Sequence, residues 1–182
     1  MNASPFVRRG KRTVYENPWL RFEAHEMVHP TGAPGVHGVV VTPRASAAVL
    51  LDGDEVLLVQ QPRYAVDAVV VEVVKGGCRP GEDALACAIR ESREEAGVTA
   101  AMWTPLGTVY ELPSLVEEAV HVFLGRDLSP EALEPEDVEQ IAVVRMNFAD
   151  ALEACADGRI NDAVTAVALL RAQRALATPE GP

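Results

Sequence analysis

The segment GGCRPGEDALACAIRESREEAGV, residues 76–98, is the most informative part of this sequence for the fold. It begins with a glycine-rich turn, in which the backbone can approach a ligand closely. A helix is predicted from Asp83 to Ala96, and Gly97 is suited to the left-handed conformation that commonly ends helices. Small and apolar residues recur in this helix at spacings of three and four, so one stripe is expected to face the core. The residues of that stripe are Leu85, Ala88, Ile89, Ser92 and Ala96.

Three carboxylates crowd the last turn of this helix. Glu91, Glu94 and Glu95 repel one another at a cost of about 0.2–0.5 kcal/mol per pair. The helix dipole adds about 0.3–1 kcal/mol for each anion at this end. Arg90 can pair with Glu94, and Arg93 lies among the carboxylates, so a salt-bridged, solvated face is one interpretation. A bound divalent cation explains the cluster better, because Mg²⁺ and Mn²⁺ prefer oxygen ligands.

The spacing of this stretch resembles the Nudix box. Five residues separate Gly76 from Glu82, and seven separate Glu82 from Arg90-Glu91. Two residues then lie before Glu94-Glu95, and one lies between that pair and Gly97-Val98. One position departs from the signature, since Ser92 stands where a large aliphatic residue is usual, which predicts looser helix packing. The resemblance implies an α/β fold, the Nudix α/β/α sandwich with a mixed sheet.

The resemblance also implies a metal-dependent site. Glu91 and Glu95 would bind Mg²⁺, with Mn²⁺ as the alternative, and Glu94 would support or share a second metal. The backbone carbonyl of Lys75 would add a further ligand. Metals that bridge the diphosphate oxygens of a substrate would neutralise developing charge and activate a water molecule.

Other box positions would shape the site around the metal. Arg90 would hold the carboxylates by ion pairing, and we count it with Glu94 among the catalytic residues. Gly76 would let the backbone approach the substrate. Glu82 would fix the loop against the helix, and Gly97 would end the helix.

Beyond the box, the chain resembles the ADP-ribose and nucleotide-sugar pyrophosphatase branch of the family. Gln60-Gln61-Pro62-Arg63-Tyr64 is similar to a Gln-Tyr-Arg run of that branch, and the Leu106–Tyr110 and Glu118–Leu124 segments resemble its next two strands. Glu139 and the turn Gly158–Asp162 also fit.

Two segments differ from that branch. Val71-Glu-Val-Val-Lys75-Gly76 replaces the usual Trp-Glu-Leu-Pro-Ala-Gly, and Lys75 is more familiar from hydrolases of dinucleoside polyphosphates and inositol phosphates. Glu111-Leu-Pro113-Ser-Leu-Val replaces the customary Pro-Ser-Pro-Gly loop.

Residues outside the box complete the predicted site. The resemblance implies that Glu118, on the loop before a strand, orients or deprotonates the attacking water, with Glu117 as its substitute. Arg63 is predicted to clamp a phosphate, against the alternative of a solvent-exposed arginine. Trp19 could stack on the base, although core or dimer packing explains it equally well.

Hydrophobic patterning predicts a mixed order of strands and helices. The predicted strands are Trp19–Val28, Val36–Thr42, Ser46–Leu51, Glu55–Gln61, Ala68–Val74, Trp103–Tyr110, Ala119–Gly125 and Gln140–Asn147. Helices are also predicted at Phe148–Ala156 and from Asn161 or Asp162 to about Ala177. We expect residues 1–43 to form an N-terminal β-hairpin extension that contacts a partner, residues 44–178 to form the Nudix domain, and residues 179–182 to be a tail.

Composition limits the partners. A net charge of −11 over 182 residues argues against a general nucleic-acid binder. No apolar run approaches the roughly 18 to 20 residues of a membrane helix, and the N-terminus lacks a secretory signal, so we expect a cytoplasmic protein. The three cysteines, Cys78, Cys87 and Cys155, are expected to be free thiols. The resemblance implies a homodimer.

The sequence therefore predicts hydrolysis of the diphosphate bond of ADP-ribose or a related nucleotide sugar, giving a nucleoside monophosphate and a sugar phosphate. A Nudix hydrolase of nucleoside triphosphates or dinucleoside polyphosphates is the enzymatic alternative. A nucleotide-sensing Nudix domain without catalysis is the alternative from another class of protein.

Overall fold

The computed structural model describes residues 4–131 and 140–178. The chain divides into two compact units, Met1–Pro43 with Tyr110–Glu118, and Arg44–Val109 with Ala119–Pro182. The return of Tyr110–Glu118 to the N-terminal unit was not predicted. Glu139 and the tail at residues 179–182 lie outside the described residues. No helix in the described ranges is both long and apolar enough to span a membrane.

Eleven strands and three α-helices are found in the described residues. The strands are β1 (Val7–Glu16), β2 (Arg21–Val28), β3 (Pro34–Val41), β4 (Ala45–Asp52), β5 (Glu55–Arg63), β6 (Ala68–Glu72), β7 (Val74–Gly77), β8 (Val98–Val109), β9 (Val116–Glu117), β10 (Val120–Pro130) and β11 (Ala142–Asn147). The helices are α1 (Ala84–Ala96), α2 (Phe148–Asp157) and α3 (Ala163–Ala177).

The N-terminal unit is a four-stranded sheet in the order β1-β2-β3-β9. Strands β2 and β3 form the predicted antiparallel hairpin, and β3 runs parallel to β9. Strand β1 was missed by the sequence analysis, because its run VRRGKRTVYE is largely polar and is exposed along almost its whole length. Such a strand has no apolar alternation that would identify it.

Seven strands of the second unit form one sheet, in the order β11-β5-β4-β10-β8, with β6 beside β5 and β7 beside β4. Strands β4 and β10 run parallel, and the other pairs are antiparallel, so the sheet is mixed as predicted. The β4–β5 hairpin turns at Gly53, whose φ of 61° is the left-handed conformation expected for the Asp52-Gly53 pair.

Helices cover both faces of this sheet. Alternate residues of β4 point to opposite sides. Ala47 and Val49 pack with buried residues of α2 and α3. Ala48 and Leu50 pack in a second cluster that includes Ala96 of α1. The sheet therefore lies between α1 on one face and α2 with α3 on the other, which confirms the predicted α/β/α sandwich.

The predicted buried strand Ala68–Val74 is wrong in two respects. The valine run divides into β6 and β7, which pair with different strands, and Val69 is 61% exposed. The division falls at Val73, whose backbone N–H donates to the Thr165 hydroxyl of α3 at 3.0 Å instead of to a strand. A run of β-branched residues predicts a strand but not its partner.

Helix α1 has the predicted ends. The Asp83 side chain accepts hydrogen bonds from the backbone N–H groups of Leu85 and Ala86, which caps the first turn. Gly97 has a φ of 62°, and its N–H donates to the Arg93 carbonyl at 3.2 Å. Strand β8 begins directly after this glycine, earlier than predicted.

The buried face of α1 differs from the predicted stripe. Leu85 and Ile89 are only partly buried, whereas Glu91 and Glu95 are 8% and 6% exposed. These two carboxylates thus share the buried side of the helix, and the interpretation of a solvated face is wrong for them. Ser92 is fully buried, and its hydroxyl donates to the backbone carbonyl four residues earlier at 2.7 Å.

Glu82 ties the glycine-rich turn to α1. Its carboxylate accepts the backbone N–H of Arg79 at 2.7 Å and two N–H groups of Arg90 at 2.9 Å. Its own N–H donates to the Arg79 carbonyl at 3.0 Å. The hydrogen-bonded Arg90 guanidinium, with the backbone hydrogen bond from Arg79, lowers the pKa of Glu82 to about 2. These contacts support the role expected for Glu82.

Replacing Glu82 by glutamine should make protein stability less dependent on pH. The pKa of Glu82 in the folded protein, about 2, lies below its ordinary value of 4.5. The carboxylate therefore stabilises the fold fully above pH 4.5, and this stabilisation is lost as the pH falls toward 2. Urea unfolding should show Glu82→Gln less stable than wild type at pH 7, with the difference shrinking between pH 4.5 and pH 3. A difference that stays constant would contradict this assignment.

Candidate active site

A cavity of about 200 Å³ opens between the glycine-rich turn, α1 and the end of β5. It brings together seven of the residues predicted from the sequence. The residues that line it are Gln61, Arg63, Lys75, Gly76, Gly77, Arg79, Arg90, Glu91, Glu94 and Glu95. Acidic and basic side chains both line this small volume, which is a suitable setting for a cation and a phosphate together.

The acidic wall is built from α1 against β7. A Cβ at Gly76 would collide with the Glu91 carboxylate, so a side chain there would force this carboxylate to move. One turn later on the helix, Glu95 accepts the backbone N–H of Lys75 at 3.2 Å. The two carboxylates therefore lie against the backbone of β7 rather than in solvent.

Arg90 links the carboxylates of this wall. Its Nη1 donates to Glu91 and to Glu94, at 2.6 Å in each case, and its Nη2 donates to the Gly77 carbonyl at 2.9 Å. Together with the two bonds to Glu82, these contacts occupy the whole guanidinium. Surrounding carboxylates raise the pKa of Arg90, above all through the hydrogen bonds of Glu82. Arg90 thus offsets much of the repulsion that the sequence predicts in this helix.

The donor set fits a divalent cation by its chemistry. Carboxylate oxygens of Glu91, Glu94 and Glu95, with nearby backbone carbonyls, are ligands that Mg²⁺ and Mn²⁺ prefer. In residues 4–131 and 140–178, however, no three His, Cys, Asp or Glu side chains already converge on one point. Glu91 and Glu94 instead each direct one oxygen to Arg90, and the second oxygen of Glu94 accepts a hydrogen bond from Arg79.

The basic wall consists of side chains that already have acidic partners. Arg63 forms a two-point ion pair with the buried Glu72, with N–O distances of 2.8 and 2.5 Å, and these hydrogen bonds raise the pKa of Arg63. This pair was not predicted, and it excludes the interpretation of Arg63 as a merely solvated side chain. The Lys75 ammonium lies 3.8 Å from Asp162, the residue that caps α3.

Two predicted site residues belong to the N-terminal unit. Trp19 lies just before β2 and is 75% exposed, so it is not a core residue of that unit. Glu118 follows the two-residue strand β9, which contains Glu117. Their roles in stacking and in activating water stay predictions.

Three residues of the cavity were not assigned a role from the sequence. Gln61 belongs to the Gln-Tyr-Arg-like run, whose arginine alone was singled out. Gly77 contributes a carbonyl to Arg90, which no side-chain signature reveals. Arg79 occupies a position that the Nudix signature leaves open, so the resemblance gave it no function. The positive charge of Arg79 and its place in the glycine-rich turn were the sequence signals that could have indicated a role in the site.

The thiols of this unit are free, as predicted. Cys87 is fully buried in α1, and its Sγ lies 3.7 Å from the Gly76 carbonyl. Burial, together with the neighbouring thiol of Cys78, raises the pKa of Cys87 above its usual range. Such a thiol is a poor nucleophile. We therefore assign Cys87 a packing role beside the glycine-rich turn rather than a catalytic one.

Comparison with known proteins gives the family. The chain is 29% identical over 162 residues to the ADP-ribose pyrophosphatase of Bacillus subtilis (strain 168), covering 87% of this chain and 88% of that protein. It is 27% identical to the ADP-ribose pyrophosphatase of Haemophilus influenzae, covering 88% and 82%. The crystal structure of an ADP compounds hydrolase has the same fold, with a TM-score of 0.84 over 97% of this chain and 96% of the other at 23% identity. The model described as the NUDIX domain matches residues 41–167, most of the chain and the whole of the box, and the chain therefore belongs to the NUDIX domain family.

Proposed function

We propose that this Nudix pyrophosphatase hydrolyses the diphosphate bond of ADP-ribose or a related nucleotide sugar, releasing a nucleoside monophosphate and a sugar phosphate. The observation that carries the proposal is the cavity in which Glu91, Glu94 and Glu95 face Arg63 and Lys75. The names of the two bacterial relatives support ADP-ribose as the substrate class.

The divalent cation, Mg²⁺ or Mn²⁺, would be held by Glu91 and Glu95, with Glu94 and the Lys75 carbonyl as further ligands. When bound, it would neutralise charge on the diphosphate and lower the pKa of the attacking water. Arg90 then has a second task, because it holds Glu91 and Glu94 in place from the side of the turn. Gly76 leaves the space in which the Glu91 carboxylate lies.

The basic wall would bind the diphosphate. Arg63 uses Nε and Nη2 for Glu72, which fixes the plane of its guanidinium and leaves Nη1 for a phosphate oxygen. Fixing the side chain in advance reduces the entropy lost on binding. From the N-terminal unit, Trp19 would stack on the base, and Glu118 or Glu117 would take the proton of the attacking water.

A second candidate, hydrolysis of nucleoside triphosphates or dinucleoside polyphosphates, is favoured by one observation. Lys75 lines the cavity, its side chain is only 17% exposed, and its ammonium group lies 3.8 Å from Asp162. A lysine there provides a point charge that suits an additional phosphate group. The two candidates differ in the products released, so one panel of substrates separates them.

The purified protein with Mg²⁺ should release nucleoside monophosphate from ADP-ribose, GDP-mannose or UDP-glucose. Release of inorganic phosphate or diphosphate from nucleoside triphosphates alone would instead support the second candidate. A nucleotide-sensing domain would bind these compounds without turnover. Chromatographic separation of the products after incubation distinguishes the three outcomes.

Glu95→Gln should lower kcat about 100-fold or more while the protein stays folded, because the amide cannot supply the anionic oxygen that the cation needs. The matched control is Glu153→Gln, an exposed glutamate on α2. Initial rates and circular dichroism of both variants check the expectation. Unchanged turnover by Glu95→Gln would refute the metal role of this residue.

We further propose a homodimer formed through the N-terminal unit. Residues 1–43 hold five of the 16 Lys and Arg but only three of the 27 Asp and Glu, so this part is basic within an acidic chain. Strand β1 is the edge of its sheet and leaves one row of backbone groups unpaired within the described unit. Acidic surface on a second copy would complement it.

Light scattering should therefore give twice the chain mass. The double variant Arg8→Glu/Arg12→Glu should shift the protein toward monomer, because it reverses the charge of the β1 edge. Arg174→Glu, an exposed substitution on α3, is the control and should leave the dimer intact. A monomeric wild-type protein at tens of micromolar would contradict the dimer.

A further inference from the structure

Arg79 differs from the other cationic side chains around the cavity. Arg90 is held by three carboxylates and the Gly77 carbonyl, and Arg63 is held at two points by a buried glutamate. Arg79 makes one side-chain contact in the described structure, from Nη2 to Glu94 Oε1 at 3.1 Å, and its side chain is 62% exposed. Exposed pairs contribute little to stability, whereas breaking a buried pair is costly. Arg79 can therefore change partner most easily.

The backbone of Arg79 is nevertheless fixed. Its N–H donates to the Glu82 carboxylate at 2.7 Å, and its carbonyl accepts the Glu82 N–H at 3.0 Å. Glu82 is held in turn by Arg90, and Pro80 restricts the next φ angle. A long side chain thus extends over the cavity from a rigid base, an arrangement that allows it to move between two nearby partners without reorganising the turn.

We propose that Arg79 is a substrate-binding residue that exchanges Glu94 for the diphosphate. In the unliganded protein its guanidinium neutralises one oxygen of Glu94. Once Glu94 turns to a cation, the guanidinium donates to a non-bridging oxygen of the substrate instead. The planar guanidinium suits a phosphate as well as a carboxylate, so the same donors serve both states. The Arg79 guanidinium thus has an anionic partner in both states.

This inference rests on the proposed function and sharpens it, because it assigns the recognition of the diphosphate to a residue outside the Nudix signature. It also explains why Glu94 has two arginine partners in the structure. When substrate binds, Arg90 would stay paired with Glu94, whereas Arg79 would leave Glu94 for the diphosphate. Arg79 would therefore affect substrate affinity far more than it affects the binding of the cation alone.

The test compares Arg79→Ala with wild type in two calorimetric titrations. The first uses Mn²⁺ alone, and the second uses the methylene analogue of ADP-ribose, which cannot be hydrolysed, in saturating Mn²⁺. Arg79→Ala should weaken analogue binding about 10-fold and leave the Kd for Mn²⁺ within about twofold, which also reports that the turn and α1 are folded. Arg79→Lys should recover part of the affinity. Arg93→Ala, which removes an exposed arginine of α1, should change neither constant.

An analogue Kd within twofold of wild type for Arg79→Ala would overturn the proposal and leave the proposed function intact. The proposal would also be overturned, with the proposed function intact, if Arg79→Ala weakened Mn²⁺ binding and analogue binding equally. It would be overturned likewise if Arg93→Ala weakened analogue binding as much as Arg79→Ala does. If wild type neither binds the analogue nor hydrolyses any compound of the substrate panel, both the inference and the proposed function are wrong. In steady-state assays, the expected pattern is a raised KM with kcat within about threefold of wild type.

Discussion

The guanidinium of Arg90 is the interaction on which the rest of the site depends. Glu91, Glu94 and Glu95 would repel one another in the last turn of α1, where the helix dipole adds a further penalty. Arg90 contacts two of them and also holds Glu82, which fixes the glycine-rich turn. The Arg90 guanidinium therefore makes a crowded acidic helix compatible with the fold. It also aligns the glycine-rich turn that forms the other side of the cavity.

The sequence predicted the architecture of the second unit well, because its signals are local. Asp83 and Gly97 mark the ends of α1 through hydrogen bonds that each residue makes with its own helix, and Asp52-Gly53 encodes a turn in the same way. Strand β1 escaped prediction since its polar residues carry no periodic signal. The break between β6 and β7 escaped because it depends on Thr165, ninety-two positions later in the chain.

The site was predictable where a signature names the residue and not elsewhere. Seven assigned residues meet in one cavity, yet their pairing was only partly foreseen. The position of the Glu91 carboxylate against β7 uses the space left by the missing side chain of Gly76, which spacing alone does not reveal. The Arg63–Glu72 pair joins two adjacent strands, but the register places Arg63 opposite Ala68 and Glu72 opposite Val59, so neither a motif nor strand pairing alone predicts it.

Burying two carboxylates beside one another is costly unless their charge is used. We propose that Glu91 and Glu95 are buried against the backbone of β7 because together they bind a divalent cation. Electron paramagnetic resonance of Mn²⁺ titrated into wild type and into the Glu91→Gln/Glu95→Gln variant tests this most directly. The account predicts saturable Mn²⁺ binding to the wild-type protein and a loss of that binding in the folded double variant. Equal binding by both proteins would contradict it.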